Sequence, residues 1–330
     1  MNNFIFPRLT FISLAIASGS LQHAQAQTQQ QNSSPADLVD ALHTAFGIHA
    51  ARAVHAKGII LEGEFTPDAN AASLTKALHL QKTKSRVVVR FSDFTGIPDI
   101  PDNVGGANPR GFAIKFIMPD GQTTDIVGHS FNGFPTATTD QFRELLLAIG
   151  ASGPDASKPN ALDSFLSTHP VAKTFLTTQK LPASYATITY FGVNSFKFTS
   201  QKGLTHFVRY QFVPEEGERL LTADQFNQAG AQYLQTEIKD RVSSKSIRFR
   251  MYAEIAEDGD AIENPSIAYP TNRKKVLLGY IEIKNLASNT VAEDKALSFS
   301  PNNIPDGIET ADPMLNFRGR AYPISVKERQ

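Results

Sequence analysis

Apolar residues near the start of the chain recur with the period of a helix. A Ser-Pro pair at 34–35 favours a helix start, because serine caps free backbone amides and proline suits the first turn. Leu38, Leu42 and Phe46 follow at intervals of four residues and share one face, and Gly47 favours the helix end. The pattern predicts an amphipathic helix that packs its apolar face onto a core.

Further along, short runs rich in β-branched and aromatic residues alternate with turns rich in Gly, Pro, Asp and Asn. Two more helices are predicted at 140–149 and 223–242. The runs that predict strands are 59–65, 86–91, 112–118, 186–190, 194–199, 205–213, 246–254 and 276–283. Many short strands with interspersed helices indicate an α+β domain, in which an antiparallel sheet or barrel has helices packed at its ends.

The first 26 residues differ from the rest of the chain. Arg8 is their only charged residue, an apolar run covers 9–21, and the segment ends in the small-residue pattern Ala-Gln-Ala. This is typical of a secretory signal peptide, so we expect residues 1–26 to be removed and the protein to be periplasmic or secreted, with no membrane segment. An uncleaved anchor is the alternative, although the apolar run is shorter than the ~18–20 residues of a membrane span.

Composition narrows the chemistry that the remaining chain can carry. We predict a flexible leader at 27–34 and one folded domain at 35–330. Lys+Arg and Asp+Glu are both 32, so no net basic charge is available to hold nucleic acid. The chain has no cysteine, which excludes disulfides, thiolate metal sites and a cysteine nucleophile. Any metal would have to be held by His, carboxylate, Tyr or Met side chains.

Five segments carry most of the candidate chemistry. They are R-A-V-H-A-K-G at 52–58, R-V-V-V-R-F-S at 86–92, N-P-R-G-F-A-I-K-F at 108–116, D-I-V-G-H-S-F-N-G-F at 125–134, and a stretch at 299–322 that ends in R-G-R-A-Y. Taken singly, each is open to a plain structural interpretation. His55 is then a core or surface histidine, and Tyr322 is a half-buried tyrosine.

In this order and at these intervals, the five segments resemble the heme catalase family, and within it the short exported branch of catalase-related peroxidases. The resemblance extends over about residues 35–325. It implies a single domain built on an eight-stranded antiparallel β-barrel with flanking helices, and a heme cofactor, with type b as the expected form. It also implies that a peroxide is the substrate and that a small organic reductant supplies the electrons.

The resemblance places a histidine, a serine and an asparagine over one face of the heme. It implies that His55 takes a proton from peroxide and returns it to the leaving oxygen, while Ser92 orients the imidazole. The family has an asparagine that positions peroxide, and we expect Asn132 in this role. The segment departs from the family pattern at His129 and Ser130, which look like an insertion. His129 therefore either approaches the heme pocket or lies in a surface loop.

On the other face of the heme, the resemblance implies that Tyr322 is the iron ligand and that Arg318 is its neighbour. Positions four residues apart share one side of a helix, so the guanidinium lies beside the phenol oxygen and favours its ionised form. Pro323 follows directly, and a proline disfavours helical backbone at the residue before it. We therefore expect the helix to end or kink at Tyr322.

The resemblance also implies that Arg52 and Arg90 bind the heme propionates and that Phe134 packs against the heme edge. The plain alternatives are surface ion pairs for the two arginines and an ordinary core position for Phe134. Arg110 is expected to have a structural role.

The chain is much shorter than the large catalases of the family. We therefore expect an open heme edge, oxidation of organic donors as the main activity, weak catalase activity, and a role in peroxide detoxification. Two alternatives stay open. One is a non-enzymatic exported barrel that binds heme or another apolar ligand, and the other is an enzyme that rearranges lipid hydroperoxides. The sequence leaves the oligomeric state open as well.

Overall fold

The computed structural model describes residues 33–289 and 291–330. The predicted signal peptide at 1–26, and all but the last two residues of the predicted leader at 27–34, lie outside the described residues. Within the described ranges, no helix combines the length and the apolar character needed to cross a membrane.

In the described residues, eight antiparallel strands form a closed barrel. They are β1 (Gly58–Pro67), β2 (Ser85–Ser92), β3 (Gly111–Ile117), β4 (Thr123–His129), β5 (Tyr190–Thr199), β6 (Thr205–Pro214), β7 (Ile247–Ile255) and β8 (Lys275–Leu286). Their order is β4-β3-β2-β1-β8-β7-β6-β5, and β4 pairs with β5 through His129 and Phe191 to close the ring. A short ninth strand, β9 (Ile308–Thr310), pairs with β5. The predicted eight-stranded antiparallel barrel is confirmed.

Helices flank the barrel. They are α1 (Pro35–Phe46), α2 (Ala71–Leu74), α3 (Thr139–Gly150), α4 (Ala161–Thr168), α5 (Pro170–Thr177), α6 (Ala223–Gln228), α7 (Tyr233–Ser244), α8 (Val291–Ala296) and α9 (Pro313–Arg329). The predicted apolar face of α1 is confirmed, because Leu38 and Leu42 are buried in one cluster with Leu146 of α3 and with Phe317 and Ala321 of α9. These three helices form a layer outside the barrel.

Aromatic side chains fill the interior of the barrel. The ring centroid of Phe112 lies 4.6 Å from that of Phe212, 5.1 Å from that of Tyr190 and 5.8 Å from that of Phe249. All four side chains are buried, and packed rings of this kind contribute more than their buried area alone. The interior of the barrel is filled, and an apolar-walled cavity lies outside it, between the strand ends and helices α1 and α9.

Two predicted elements differ from the structure. The single helix predicted at 223–242 is wrong, because the chain forms α6 and α7 with a break at Gly230. At this break the carbonyl of Ala231 accepts hydrogen bonds from the Lys57 ammonium at 3.0 Å and from the Asp102 amide at 2.9 Å. Since a buried cation needs such acceptors, tertiary contacts outweigh the helical pattern here.

The strand predicted at 186–190 is also wrong. Residues Tyr185–Thr187 form a turn of 3₁₀-helix, and β5 begins only at Tyr190. The hydroxyl of Ser184 accepts a hydrogen bond from the Ala186 amide at 3.0 Å, so a side chain competes with the backbone pairing that a strand requires.

Helix α9 runs through Pro323 to Arg329, so the helix does not end at Tyr322, and a kink there stays a prediction. Phe317 and Ala321 are buried against the neighbouring helices. At the far end, the Arg329 guanidinium donates to the carbonyls of Lys295 and Leu297 at 3.1 and 3.0 Å. These contacts hold the helix on both sides of the proline and offset its missing backbone donor.

Candidate active site

One cavity brings together residues from most of the segments identified in the sequence. It lies between α1, the loop before β1, the ends of β2 to β5, and α9, and its space, including the part open to solvent, is about 1240 Å³. Its walls are largely apolar, with valine and phenylalanine side chains from the barrel and leucines from α1. The polar side chains that line it include His55, Ser92, His129, Asn194, Tyr322, Arg52, Arg90, Arg318 and Arg329.

The backbone of His55 adopts an unusual conformation. Its φ angle is +58°, a region that residues other than glycine rarely occupy, and such strain persists only where surrounding contacts impose it. The His55 amide donates to the carbonyl of Phe94 at 3.0 Å, and its own carbonyl accepts from the Arg90 guanidinium at 2.9 Å. These two hydrogen bonds fix the loop that carries His55 to β2 and to the residues that follow β2.

The imidazole of His55 is oriented through its Nδ1 atom. This nitrogen lies 3.1 Å from the carbonyl oxygen of Asp93 and 3.1 Å from the hydroxyl oxygen of Ser92. A carbonyl can only accept, so Nδ1 carries the hydrogen and Nε2 is left with a lone pair. Burial, with Arg90 and Arg318 nearby, lowers the pKa of His55 to about 3. The ring is thus a neutral hydrogen-bond acceptor at neutral pH.

Glycine at position 111 makes this arrangement sterically possible. Gly111 pairs with Ser92 across β2 and β3. A Cβ atom at Gly111 would lie 2.3 Å from the Ser92 hydroxyl oxygen and 2.6 Å from His55 Nδ1, both far inside ordinary contact distance. The absence of a side chain at Gly111 is what allows the serine and the histidine to meet.

The peptide that orients His55 is held by a buried ionic cluster. Arg110, fully buried in the structure, pairs with the carboxylate of Asp93, and the hydroxyl of Tyr185 donates to the same carboxylate at 2.8 Å. Burial, despite Arg110, raises the pKa of Asp93 to about 6. Arg110 does not line the cavity, and it pairs with Asp93, whose carbonyl oxygen lies 3.1 Å from His55 Nδ1.

A hydrogen-bonded chain ends at the phenol of Tyr322. The Arg318 guanidinium donates to the Tyr322 hydroxyl oxygen at 2.9 Å and to the side-chain oxygen of Asn194 at 3.0 Å. The Asn194 amide in turn donates to the Asp312 carboxylate at 2.6 Å, and burial raises the pKa of Asp312 to about 6. Because the Arg318 guanidinium is hydrogen-bonded to both Asn194 and Tyr322, its charge stays beside the phenol oxygen.

Three arginines surround one carboxylate at another edge of the cavity. Asp294 of α8 pairs with Arg52 and, at 2.8 Å, with Arg90. Arg52 also donates to the carbonyls of Asp294 and Leu297 at 2.8 and 2.7 Å, and Arg329 shares the Leu297 carbonyl. Burial and the neighbouring Arg90 lower the pKa of Arg52 to about 9, so it remains charged at neutral pH.

These residues fit a heme. Three guanidinium groups and one carboxylate leave an excess of two positive charges, which equals the number of propionates on a protoheme. A phenol oxygen beside an arginine is a suitable ligand for ferric iron. The mostly apolar walls suit a porphyrin ring, and Phe134 of the wall packs 5.6 Å from the Arg318 guanidinium.

Most of the predicted site residues meet at this cavity. Those that line it are His55, Ser92, Arg52, Arg90, Phe134, Arg318 and Tyr322. Asn132 is not among the described residues that line it, whereas His129 is. His129 is the last residue of β4 and pairs with Gly111, and Asn132 follows in the loop beyond the strand. His129 is only 8% exposed, so the expectation of a surface position for it is wrong.

Sequence analysis did not predict Arg329 and Asn194 as site residues, although both line the cavity and hydrogen-bond with the residues around it. Arg329 lies seven residues after Tyr322, which is two helical turns and the same side of α9, so helical spacing could have indicated it. Asn194 lies on β5 and reaches Arg318 only because β5 closes the barrel beside α9. No local pattern marks it, so its role depends on the fold.

A closed antiparallel barrel that carries an oriented imidazole and an arginine-paired phenol in one cavity defines a class, the barrel-based heme oxidoreductases. The comparisons with known proteins agree with it. The family described as Catalase matches residues 47–330. Catalase-related peroxidases of Synechococcus elongatus and Mycolicibacterium paratuberculosis are 30% and 32% identical, over 96% and 90% of this chain and 95% of each relative.

The structural comparisons give the same fold. A fungal catalase and catalase A from Saccharomyces cerevisiae both align with a TM-score of 0.75 at 19% identity, over 84% of this chain. The chain spans 59% and 61% of the length of those two proteins. The chain belongs to the catalase family and is an oxidoreductase that acts on peroxide.

Proposed function

We propose that the protein is a heme peroxidase that reduces hydrogen peroxide or an organic hydroperoxide with electrons from a small organic donor. The observation that carries the proposal is that His55 and the Arg318–Tyr322 pair line one cavity although they are far apart in sequence. Peroxidase rather than dismutase chemistry is supported by the two relatives that share nearly their whole length with this chain, since both are named catalase-related peroxidases.

In this proposal Tyr322 would bind the heme iron, Arg318 would balance the charge of its phenolate, and Arg52, Arg90 and Arg329 would hold the propionates. Bound heme, with type b as the expected form, supplies the redox-active iron at which the peroxide is reduced. His55 accepts a peroxide proton at Nε2 and delivers it to the leaving oxygen, while Ser92 and the Asp93 carbonyl keep the ring in the required tautomer.

The neutral state of His55 supports this role. With the pKa of His55 lowered to about 3, the imidazole is available as a base throughout the physiological pH range. A non-enzymatic ligand-binding barrel would have no need for an imidazole held in one tautomer by a strained backbone. Export to the periplasm, detoxification as the biological role and the identity of the donor belong to the same proposal.

The absorption spectrum of the purified ferric protein tests the cofactor and its ligand. Wild type is expected to show a heme band that is changed or lost in Tyr322→Phe. Oxygen release and donor oxidation, measured side by side with hydrogen peroxide, test the reaction. Dismutation faster than donor oxidation would reject the peroxidase assignment, and full peroxide reactivity in His55→Ala would favour a barrel that only stores heme.

A further inference from the structure

The cavity holds a second histidine to which no role has been given above. His129 ends β4, lines the same cavity as His55, and pairs with Gly111, the residue whose missing side chain makes room for His55 and Ser92. His55 lies in the loop before β1 and His129 at the end of β4, and Gly111 of β3 adjoins both histidines at one end of the barrel. His129 directly follows the D-I-V-G segment and lines the cavity at the end of β4.

The two imidazoles are held in opposite tautomers. His129 Nδ1 accepts a hydrogen bond from the Phe131 amide at 3.3 Å, so this nitrogen carries no hydrogen. Burial and the nearby His55 lower the pKa of His129 to about 3, which keeps the ring neutral. The hydrogen of His129 is consequently on Nε2. In His55 the hydrogen is on Nδ1, where the Asp93 carbonyl accepts it.

The Nε2 donor of His129 lacks an acceptor. The atom is buried and has no hydrogen-bond partner in the part of the chain that the structure describes. Buried donors are nearly always paired in folded proteins, because an unpaired one loses its hydration without compensation. In a residue that lines a cavity, an unpaired donor points to a ligand that supplies the acceptor.

Aromatic packing holds the two rings at one end of the site. The ring of Phe175 contacts that of His129 edge-on, with centroids 5.8 Å apart, and Phe94 contacts His55 edge-on at 5.5 Å. Phe94 and Phe175 contact each other at 5.9 Å. Since Phe175 is 1% exposed, this wall cannot move without opening the core. The two imidazoles are thereby supported by one continuous aromatic surface.

We propose that His129 is a second catalytic residue, which donates its Nε2 hydrogen to a peroxide oxygen while His55 accepts the peroxide proton. A hydroperoxide has both an acceptor oxygen and an O–H donor, so it matches one imidazole of each tautomer. This inference rests on the proposed function, because it takes peroxide as the ligand of the cavity. It assigns to an imidazole the donor role that was expected of an asparagine amide.

Fluoride affinity of the heme-loaded ferric protein tests the donor directly, because fluoride on iron only accepts hydrogen bonds. Kd is measured by absorption titration for wild type, His129→Leu and His129→Asn, at equal heme content. Losing one buried donor is expected to weaken fluoride binding about 10- to 100-fold in His129→Leu. His129→Asn keeps a donor and is expected to stay within a few-fold of wild type. The rate constant kcat/KM for hydrogen peroxide should fall in parallel.

His79→Leu is the matched control. His79 is also a buried neutral imidazole, 1% exposed with both ring nitrogens unpaired, but it packs on Phe116 and does not line the cavity. It should leave the fluoride Kd unchanged. His129→Met is a second donor-free variant, so the comparison does not depend on one variant folding, and thermal unfolding of each checks this.

The outcomes separate the two proposals. Wild-type affinity for fluoride in His129→Leu and His129→Met, with normal heme content, would overturn the donor role. So would equal weakening in His129→Asn and His129→Leu, because the shape of the ring would then be what matters. A wild-type holoprotein that binds fluoride but does not react with any peroxide would reject the proposed function, while the fluoride series would still report whether His129 is a donor.

Discussion

Substitution of Gly111 by alanine should uncouple His55 from Ser92 while leaving the Tyr322 side of the cavity intact. The new Cβ atom would lie 2.6 Å from His55 Nδ1 and 2.3 Å from the Ser92 hydroxyl oxygen, whereas ordinary contact begins at 3.4 Å. The imidazole must therefore retreat by about 0.8 Å, which lengthens its 3.1 Å hydrogen bonds to about 4 Å, beyond bonding distance.

The expected losses of stability and of turnover follow from these displacements. Overpacking costs about 1–3 kcal/mol and each of the two lost hydrogen bonds about 1 kcal/mol, so the free energy of unfolding should fall by roughly 3–5 kcal/mol. A catalytic group misplaced by about 1 Å lowers turnover about 100-fold. The heme band should keep its wild-type position, because the atoms nearest the new Cβ belong to Ser92 and His55 and not to the Arg318–Tyr322 pair.

The assay compares Gly111→Ala with Gly106→Ala at equal heme content. A Cβ atom at Gly106 would meet nothing within 4 Å, so this control should match wild type in urea unfolding and in donor oxidation. If Gly111→Ala oxidises the donor at the wild-type rate, the coupling of Ser92 and Gly111 to the orientation of His55 is refuted. Equal loss in both variants would show that the effect is not specific to the site.

Three further predictions concern the groups around the site. In Asn194→Leu, Arg318 and the buried Asp312 lose their shared partner, so stability should fall by about 1–3 kcal/mol and heme should transfer faster to excess apomyoglobin. Unchanged transfer would argue against the Asp312–Asn194–Arg318 chain. Asp294→Asn leaves the arginines beside it without their counter-charge, and thermal unfolding should show a loss of about 1–3 kcal/mol; an equal or higher midpoint would contradict this. A third prediction concerns pH: burial lowers the pKa of His79 to about 3, so its neutral form stabilises the fold above pH 6.5 and that contribution is lost as the pH falls towards 3. The free energy of unfolding in urea should be measured at pH 7 and at pH 5. The loss between the two pH values should be about 2 kcal/mol smaller in His79→Leu than in wild type, and an equal loss in both proteins would refute the prediction.

Local patterns in the sequence determine much of the fold. The period of apolar residues predicts α1 and most barrel strands, because a helix or strand must turn one face towards a core. In the sequence, Ser92 and Gly111 belong to two separate segments, 86–92 and 108–116, and nothing in either segment shows that the two residues meet. The pairing of β2 with β3 puts them side by side, and no spacing along the chain encodes that contact.

Two of the differences between the sequence-based expectations and the structure share one physical cause. The break between α6 and α7 serves the buried Lys57, and α9 continues past Pro323 because contacts at both ends hold it. In each place, a tertiary contact worth several kcal/mol outweighs a local preference of about 1–3 kcal/mol. Such contacts join residues far apart in sequence, so short-range patterns do not contain them.

The residue types of the site are determined by the sequence, and their arrangement by the barrel. The i, i+4 spacing of Arg318 and Tyr322 is enough to predict their contact, since a helix imposes it. Whether His129 or Asn132 enters the cavity depends on where β4 ends, and that is decided by its pairing with β3 and β5. Closure of the barrel, a property of all eight strands together, therefore selects the histidine.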